Sequence, residues 1–407
     1  MMKKFNLLFF TIIFSSTLFG QIVINEFSAA NYDSFQDNYG EYHDWIEIYN
    51  NSSNSIDLDG WYLSDKASNL TKWQFPASFI LGANTTALIY CSGRDELIGG
   101  IAHTNFKITQ TKGNEVFVIS DPSSNIIDSI TVVPHQKTHS RGRDVNGGTN
   151  WSVFTTTSSP GTNNNGALLE YATTPAFSQP SGYYSAGIDV AINSPDPNIT
   201  IYYTVDGSLP DNTSLIYNSP VNITSTTVLK AVAYSSNPNI PRSFLEYNTY
   251  FINDTHTVSI LSIAGTDLGD LLAGSWNLEP QGTVEYFDSN GNLLDKGTGE
   301  YNKHGNDSWA YDQRGFDFIM RDQFGYNYAV NDKIFETKNR DSFQRLIVKA
   351  AANDNFSFED GAHIRDQYVH HLSQLADLRM DERSYAPCIV YLNGEYWGVY
   401  DIREKVD

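Results

Sequence analysis

The chain has 407 residues, a formal net charge of −21, 40% hydrophobic and 14% aromatic content. That is enough apolar material for packed cores, which excludes a wholly disordered chain, and the length fits about two to four domains. The acidic balance excludes a nucleic-acid polyanion as partner, because no basic surface is present to release counterions; it suits a solvated extracellular protein and divalent cations.

At the N-terminus, Lys3 and Lys4 precede the apolar run Phe5–Phe19, which has the length of a signal-peptide core and is short for a membrane span. Gly20 is a small residue suited to the cut, leaving Gln21 as the mature start, and loss of Lys3 and Lys4 takes the charge from −21 to −23. We therefore expect residues 1–20 to be a signal peptide and the product to be secreted or held at the cell surface. No later stretch is apolar for long enough to span a membrane. The two cysteines, Cys91 and Cys388, fall in different predicted domains, so no disulfide is expected and stability must come from β-sheet cores.

From Gln21 to about Gly166, short apolar strands alternate with Asn/Gly/Ser/Asp turns: Ile22–Phe27, Asp44–Tyr49, Trp61–Ser64, Thr86–Cys91, Glu115–Ser120 and Ile126–Val132. This spacing predicts an all-β sandwich or barrel, closed by the linker-like stretch Ser158–Gly166. Glu26, Asp44 and Glu47 invite a metal or acid/base reading. However, Asp44 and Glu47 are three apart on a predicted strand and point to opposite faces, so hydrogen bonds to loop amides are the better expectation. The acidic loop Asn31–Asp44 is a candidate calcium loop. Ile24–Asn31, Asp44–Asn50, Asp57–Asp65 and Ser140–Arg143 with Pro160-Gly161 together resemble a bacterial lamin-tail domain. The resemblance implies an immunoglobulin-like sandwich used for binding or anchoring, without catalysis.

The next segment, 172–250, alternates apolar and polar residues over Ile188–Ile192, Ile199–Val205 and Thr227–Tyr234, with Asp206-Gly207 read as a hairpin turn. The run Ile201-Tyr-Tyr-Thr-Val-Asp-Gly-Ser-Leu-Pro210, followed by Leu229-Lys-Ala-Val-Ala233, resembles a chitobiase/β-hexosaminidase C-terminal domain. The resemblance implies a second small sandwich that accompanies a glycosidase barrel and does not itself cut sugar; no β/α repeat that could form such a barrel is present. Tyr202 and Tyr203 could stack on a carbohydrate, although such a pair in a strand is more often one core and one surface residue.

From His256 to the end, strands are predicted at Val258–Ile263, Gly282–Phe287, Leu293–Lys296, Arg314–Arg321 and Arg345–Ala351. A glycine-containing turn lies within Gly299–Trp309, and a helix covers His363–Leu375 with an apolar stripe at Ile364, Tyr368, Leu372 and Leu375. The chain closes on a hairpin around Asn393-Gly394, a pair suited to a type I′ turn. Adjacent His370 and His371 are about 100° apart on a helix and do not share one ion easily; a solvated helix face is expected there.

Gly305-Asn-Asp-Ser308 with Arg314, Lys349 with Asn353-Asp354, Arg365-Asp366, and Tyr391–Tyr400 with Arg403-Glu404 resemble the spore coat protein H (CotH) family of atypical kinases. The resemblance implies that 256–407 is the N-terminal part of a kinase-like domain, an incomplete α+β N-lobe after two immunoglobulin-like sandwiches. It implies a cofactor-binding set of Gly305, Ser308, Arg314, Lys349, Asp366 and Glu404. The glycine turn would cover phosphates, Lys349 or Arg314 would bring positive charge, Asp366 would orient that cation, and Glu404 would lie at the junction with a second lobe, near an adenine. No catalytic and no metal-ligating residue is assigned. In the family the base and metal carboxylates follow the hairpin, so ATP and magnesium belong to a longer parent chain, and the covered chain alone is expected to be inactive. An open apolar edge or face near Val399–Val406 is expected where a missing lobe would dock.

Three functions stay open: the front portion of an exported CotH-like protein, a non-catalytic surface-binding or adhesion protein, and a carbohydrate-binding accessory protein. The partner is accordingly an extracellular protein, a cell-surface ligand or a carbohydrate.

Overall fold

The computed structural model describes residues 21–113, 115–155, 160–354 and 361–405; the expected signal peptide lies outside them. The architecture is mostly β, and no helix among the described residues is long and apolar enough to cross a membrane.

The first unit packs two sheets. Seven strands run in the order 151–154, 140–143, 22–28, 45–50, 86–90, 101–103 and 96–98, and four run in the order 126–131, 116–120, 62–64 and 73–74. Ile24, Phe27, Ile46, Ile48 and Ile89 from the larger sheet meet Leu63, Trp73, Phe117 and Ile119 from the smaller one in a common core. Period-two alternation sends Ile46 and Ile48, and Phe117 and Ile119, to one face, and a bulge between Ile24 and Glu26 lets Ile24 and Phe27, three apart, both reach the core. The strand Trp45–Asn50 is buried on both faces because it is central and its outer face is covered. There, Glu47 Oε2 accepts the Gly161 N–H at 2.6 Å and Oε1 accepts the Asn25 amide at 2.7 Å. Ser140 Oγ donates to Glu26 Oε1, and the Asn31 N–H donates to Asp44 Oδ1 at 3.1 Å. These carboxylates serve loop and neighbouring-strand donors, as expected.

The second unit centres on a five-stranded sheet in the order 182–184, 246–252, 227–235, 199–204 and 215–216, backed by two short ladders. Val190, Ile192, Ile201, Ile223, Leu229, Ala231, Ala233 and Tyr250 form its core. Asp206-Gly207 is not a two-residue hairpin: Tyr203 pairs with Leu215, so the connection is long, and the Asp206 carboxylate instead accepts the Ser208 N–H in a local turn. Tyr202 packs edge-on against Tyr234, and Tyr203 packs on the core; each is partly buried.

The third unit is a closed barrel. Its strands are β1 (Ser259–Ala264), β2 (Gln281–Phe287), β3 (Leu293–His304), β4 (Gly315–Met320), β5 (Arg345–Lys349), β6 (Tyr385–Leu392) and β7 (Glu395–Glu404). The order around the barrel is β1-β2-β3-β4-β5-β7-β6, closed by parallel pairing of β6 with β1. Two short helices join it, α1 (Leu268–Ala273) and α2 (Arg365–Leu375). Phe316, Phe318 and Met320, Leu346 and Val348, Cys388 and Val390, Tyr400 and Ile402 alternate into the barrel and fill it, and α1 adds Leu268, Leu271 and Leu272. Both cysteines are buried free thiols.

Three expectations are corrected here. The strand after the Asp288–Gly291 turn continues through Gly297 and Gly299 to His304, because a barrel wall uses glycine where a neighbour comes close: a Cβ on Gly297 would lie 2.1 Å from Met320 Cε. The apolar edge expected near Val399–Val406 is closed only in part: β7 pairs with β6 along its length but with β5 only over Asp401–Glu404, so among the described residues Val399 is exposed and has no strand partner on the β5 side, while Val406 lies outside them. Helix α2 is turned opposite to its apolar stripe. Gln367 and Ser373 are buried, while Ile364, Tyr368, Leu372 and Leu375 face out. The barrel wall beneath the helix is charged, so the polar side of the helix packs there.

The closing hairpin has its turn fixed by positive φ at both Asn393 (52°) and Gly394 (88°), as a type I′ turn requires. Its tip rests on the second unit, against Gly207, Thr226 and Thr227.

Candidate functional site

The residues that alternate outward from β5 and β7 form the most chemically loaded patch on the barrel. Lys349 is paired in register with Asp401, and Ile347 with Arg403, so the Lys349, Asp401 and Arg403 side chains share the outer face. Helix α2 lies over them. Its first turn places Asp366 so that one carboxylate oxygen, Oδ2, accepts from both Lys349 Nζ and Arg403 Nη1. His370, one helical turn on, brings Nε2 to 3.7 Å from the other oxygen. The helix start is held by Asp354, whose carboxylate accepts the N–H groups of Ala362 and Arg365 at 2.8 and 2.9 Å, an anion at the positive end of the helix.

Burial alone would push Asp366 up, but the hydrogen bond from Lys349 and the charge of Arg403 outweigh it and hold the carboxyl at about 2. Burial dominates at Asp401: although Arg403 and Lys349 pull it down, its carboxyl is raised to about 6. Arg403 is only 2% exposed. Its Nε and Nη2 make no hydrogen bond among the described residues, and Nη2 stands 3.8 Å from Asp401 Oδ2. Further round the wall, Asp317 is held by Arg345 at 2.7 Å and His304 at 2.8 Å.

Of the residues singled out from sequence, Lys349 and Asp366 are brought together. Gly305 and Ser308 are not shown in contact with that pair: the backbone turns at Gly305 (φ 96°), and the 3₁₀ turn Asp307–Ala310 lies near Ala352–Asp354, the segment that follows Lys349. Arg314 holds that turn rather than the Lys349–Asp366 pair. It donates to the carbonyls of Trp309 and Leu272 at 3.1 and 3.0 Å, tying the turn to the end of α1. Glu404 is also apart, three register pairs from Lys349 or about 10 Å along the strands. It accepts the Ser384 N–H at 3.1 Å and meets Lys338 at 3.2 Å. Arg365 pairs with Asp354 rather than with its neighbour Asp366. Neither Asp401 nor, by itself, Arg403 stands out in the sequence; the usable signal is their period-two spacing, which puts both on one face of β7.

Comparison with protein families matches three segments. Residues 15–134 match the Lamin Tail Domain, 179–241 the Chitobiase/beta-hexosaminidase C-terminal domain, and 302–407 the CotH kinase protein family. The last of these spans the Gly305 turn, Lys349, Asp366 and Arg403. A search of curated proteins gave no match. In chain order, therefore, the protein is similar to a lamin tail domain, a chitobiase/β-hexosaminidase C-terminal domain and a CotH kinase protein.

Proposed function

We propose that the protein is an exported, CotH-like protein whose barrel binds the phosphates of a nucleotide, with the two N-terminal units serving as immunoglobulin-like modules that hold it to an extracellular surface. The barrel then corresponds to a kinase N-lobe. The carrying observation is the Lys349–Asp366 link between β5 and α2, with the turn that follows Gly305 lying near the segment 352–354 just after β5. Phosphoryl-transfer lobes need a cation on the phosphates, a carboxylate that orients it and a backbone turn over the ligand. The proposal is binding without turnover, since no residue here is assigned as base or as metal carboxylate.

The test is equilibrium binding of magnesium-ATP to the purified protein, with label transfer from the γ-phosphate followed in parallel. Saturable binding weakened at least ~10-fold in Lys349→Ala, without transfer, is expected. No binding, or binding indifferent to Lys349, would sink the proposal. Export is tested by fusing residues 1–20 to a reporter and assaying the culture medium and cell surface.

A second reading, a non-catalytic surface-binding protein, is favoured by the outward apolar face of α2. Tyr368, Val369, Leu372 and Leu375 are all exposed there, an arrangement typical of interaction surfaces.

A further inference from the structure

The loop 31–44 of the first unit folds around one carboxylate. Asn31 clamps its base: Oδ1 accepts the Phe35 N–H at 2.9 Å, and Nδ2 donates to the carbonyls of Phe35 and His43 at 2.7 and 2.6 Å. Inside the loop, Asp37 Oδ1 accepts the N–H groups of Tyr39 and Glu41 at 2.8 and 3.0 Å. Its second oxygen, Oδ2, is buried, makes no hydrogen bond and lies on a side chain with no exposed surface. That oxygen faces His43, whose Nε2 is 3.9 Å away and 3.0 Å from Glu41 Oε2. The three donor atoms lie within 4.8 Å of one another, the one such group among the described residues.

A buried carboxylate oxygen with no donor is costly, and a cation between it and His43 would satisfy it. A tetrahedral ion with bonds near 2 Å sets its ligand atoms about 3.3 Å apart, and the observed 3.0 and 3.9 Å straddle that spacing. We propose that Asp37, Glu41 and His43 bind a borderline divalent transition-metal ion of the zinc class, with solvent completing the coordination on the side where Glu41 is exposed. Calcium, the ion that the acidic loop alone brings to mind, takes six to eight oxygen ligands; one imidazole and two carboxylates select for zinc-like ions instead. Arg94 reaches the same Glu41 oxygen at 2.5 Å, so it competes with the metal for that ligand.

The test is titration of the full chain, stripped with chelator, with zinc chloride by calorimetry, and with cobalt(II) by visible absorption. The expected result is one site per chain, with the intense visible bands of a four-coordinate cobalt centre. Affinity falls at least ~10-fold in His43→Ala and in Asp37→Asn, and rises in Arg94→Ala, where Glu41 loses its competitor. Asp37→Asn keeps an oxygen for the Tyr39 and Glu41 N–H groups, and thermal unfolding of the metal-free variants checks that each is folded. The proposal is overturned by absence of saturable zinc uptake, by uptake that persists in both ligand variants, by uptake lost instead in the double variant His370→Ala, His371→Ala, or by binding of calcium but not zinc.

Discussion

Lys349 and Asp366 are joined across the space between strand β5 and helix α2, and the oxygen that Asp366 gives to Lys349 also receives Arg403. The two cations are not equivalent. Lys349 keeps part of its side chain in solvent, whereas Arg403 is almost wholly enclosed. Removing the shared carboxylate therefore strands a buried guanidinium. Asp366→Ala is expected to destabilise the barrel by about 1–3 kcal/mol, toward the low end because Asp366 itself is 40% exposed and screened. Lys349→Ala should cost only about 0–1 kcal/mol. Urea unfolding followed by tryptophan fluorescence measures both, and equal losses or a reversed order would contradict this division of labour.

Asp401 makes the same patch pH-sensitive. Its folded carboxyl is raised to about 6, above the roughly 3.9 of an unfolded aspartate, so between these values the folded state holds the proton more tightly. The contribution of this group to stability is full below about pH 4 and falls as pH rises through 6. Asp366 runs the other way: held at about 2, its contribution is present above about pH 4 and disappears only in stronger acid. Asp401→Asn should therefore gain stability relative to the parent between pH 4.5 and pH 8. A difference that stays flat across this range in urea titrations would show that Asp401 is not carrying the strain.

The parts of this arrangement legible in the sequence are those set by local pattern. Alternation locates six strands of the first unit to within a residue or two but not those at 73–74, 96–98, 101–103, 140–143 and 151–154, and Asn393-Gly394 announces its own turn. What was not legible depends on which strands become neighbours. Lys349 and Asp401 are far apart in sequence, and only the β5–β7 register puts them side by side. The orientation of α2 failed for a related reason. Its apolar stripe predicts packing through that face, but the wall it meets carries Lys349, Asp401 and Arg403, a surface that periodicity within the helix cannot reveal. Arg314 and Glu404 share the charges of the site without its position.

The hairpin tip offers a test of how the units are held together. Gly207 has φ 79°, and a Cβ there would lie 2.2 Å from Asn393 Oδ1, the atom that accepts the Gly265 N–H at 2.9 Å. Gly207→Ala must displace Asn393 and weaken that bond, a loss on the order of 1–3 kcal/mol. Hydrogen exchange should accelerate at the amides of Gly265 and Asn393 in this variant. It should be unchanged there in Gly99→Ala, where positive φ brings similar backbone strain but nothing lies within 4 Å of the added methyl. Equal protection in both variants would mean that the tip is not pinned by Asn393.

Lys230 is a fully buried link between the second unit and the barrel. Its ammonium is fully enclosed and donates to the Gly207 carbonyl at 2.7 Å and to the Ala264 carbonyl, at the end of β1, at 3.1 Å. Burial pushes it down to about 7, against the pull of Glu285 and Asp206. An unfolded lysine keeps its proton to about 10.4, so between pH 7 and 10 the unfolded state binds more protons and stability from this group rises with pH. Lys230→Met removes that slope and takes the ammonium donor from the Gly207 carbonyl, while the Ala264 carbonyl keeps the Thr283 hydroxyl at 3.2 Å, at a cost of about 1–3 kcal/mol. The deficit of the variant should be larger at pH 9.5 than at pH 7 in urea unfolding. A deficit that shrinks with rising pH would mean that the enclosed amine remains charged, with the Glu285 carboxylate rather than the two carbonyls as its main partner.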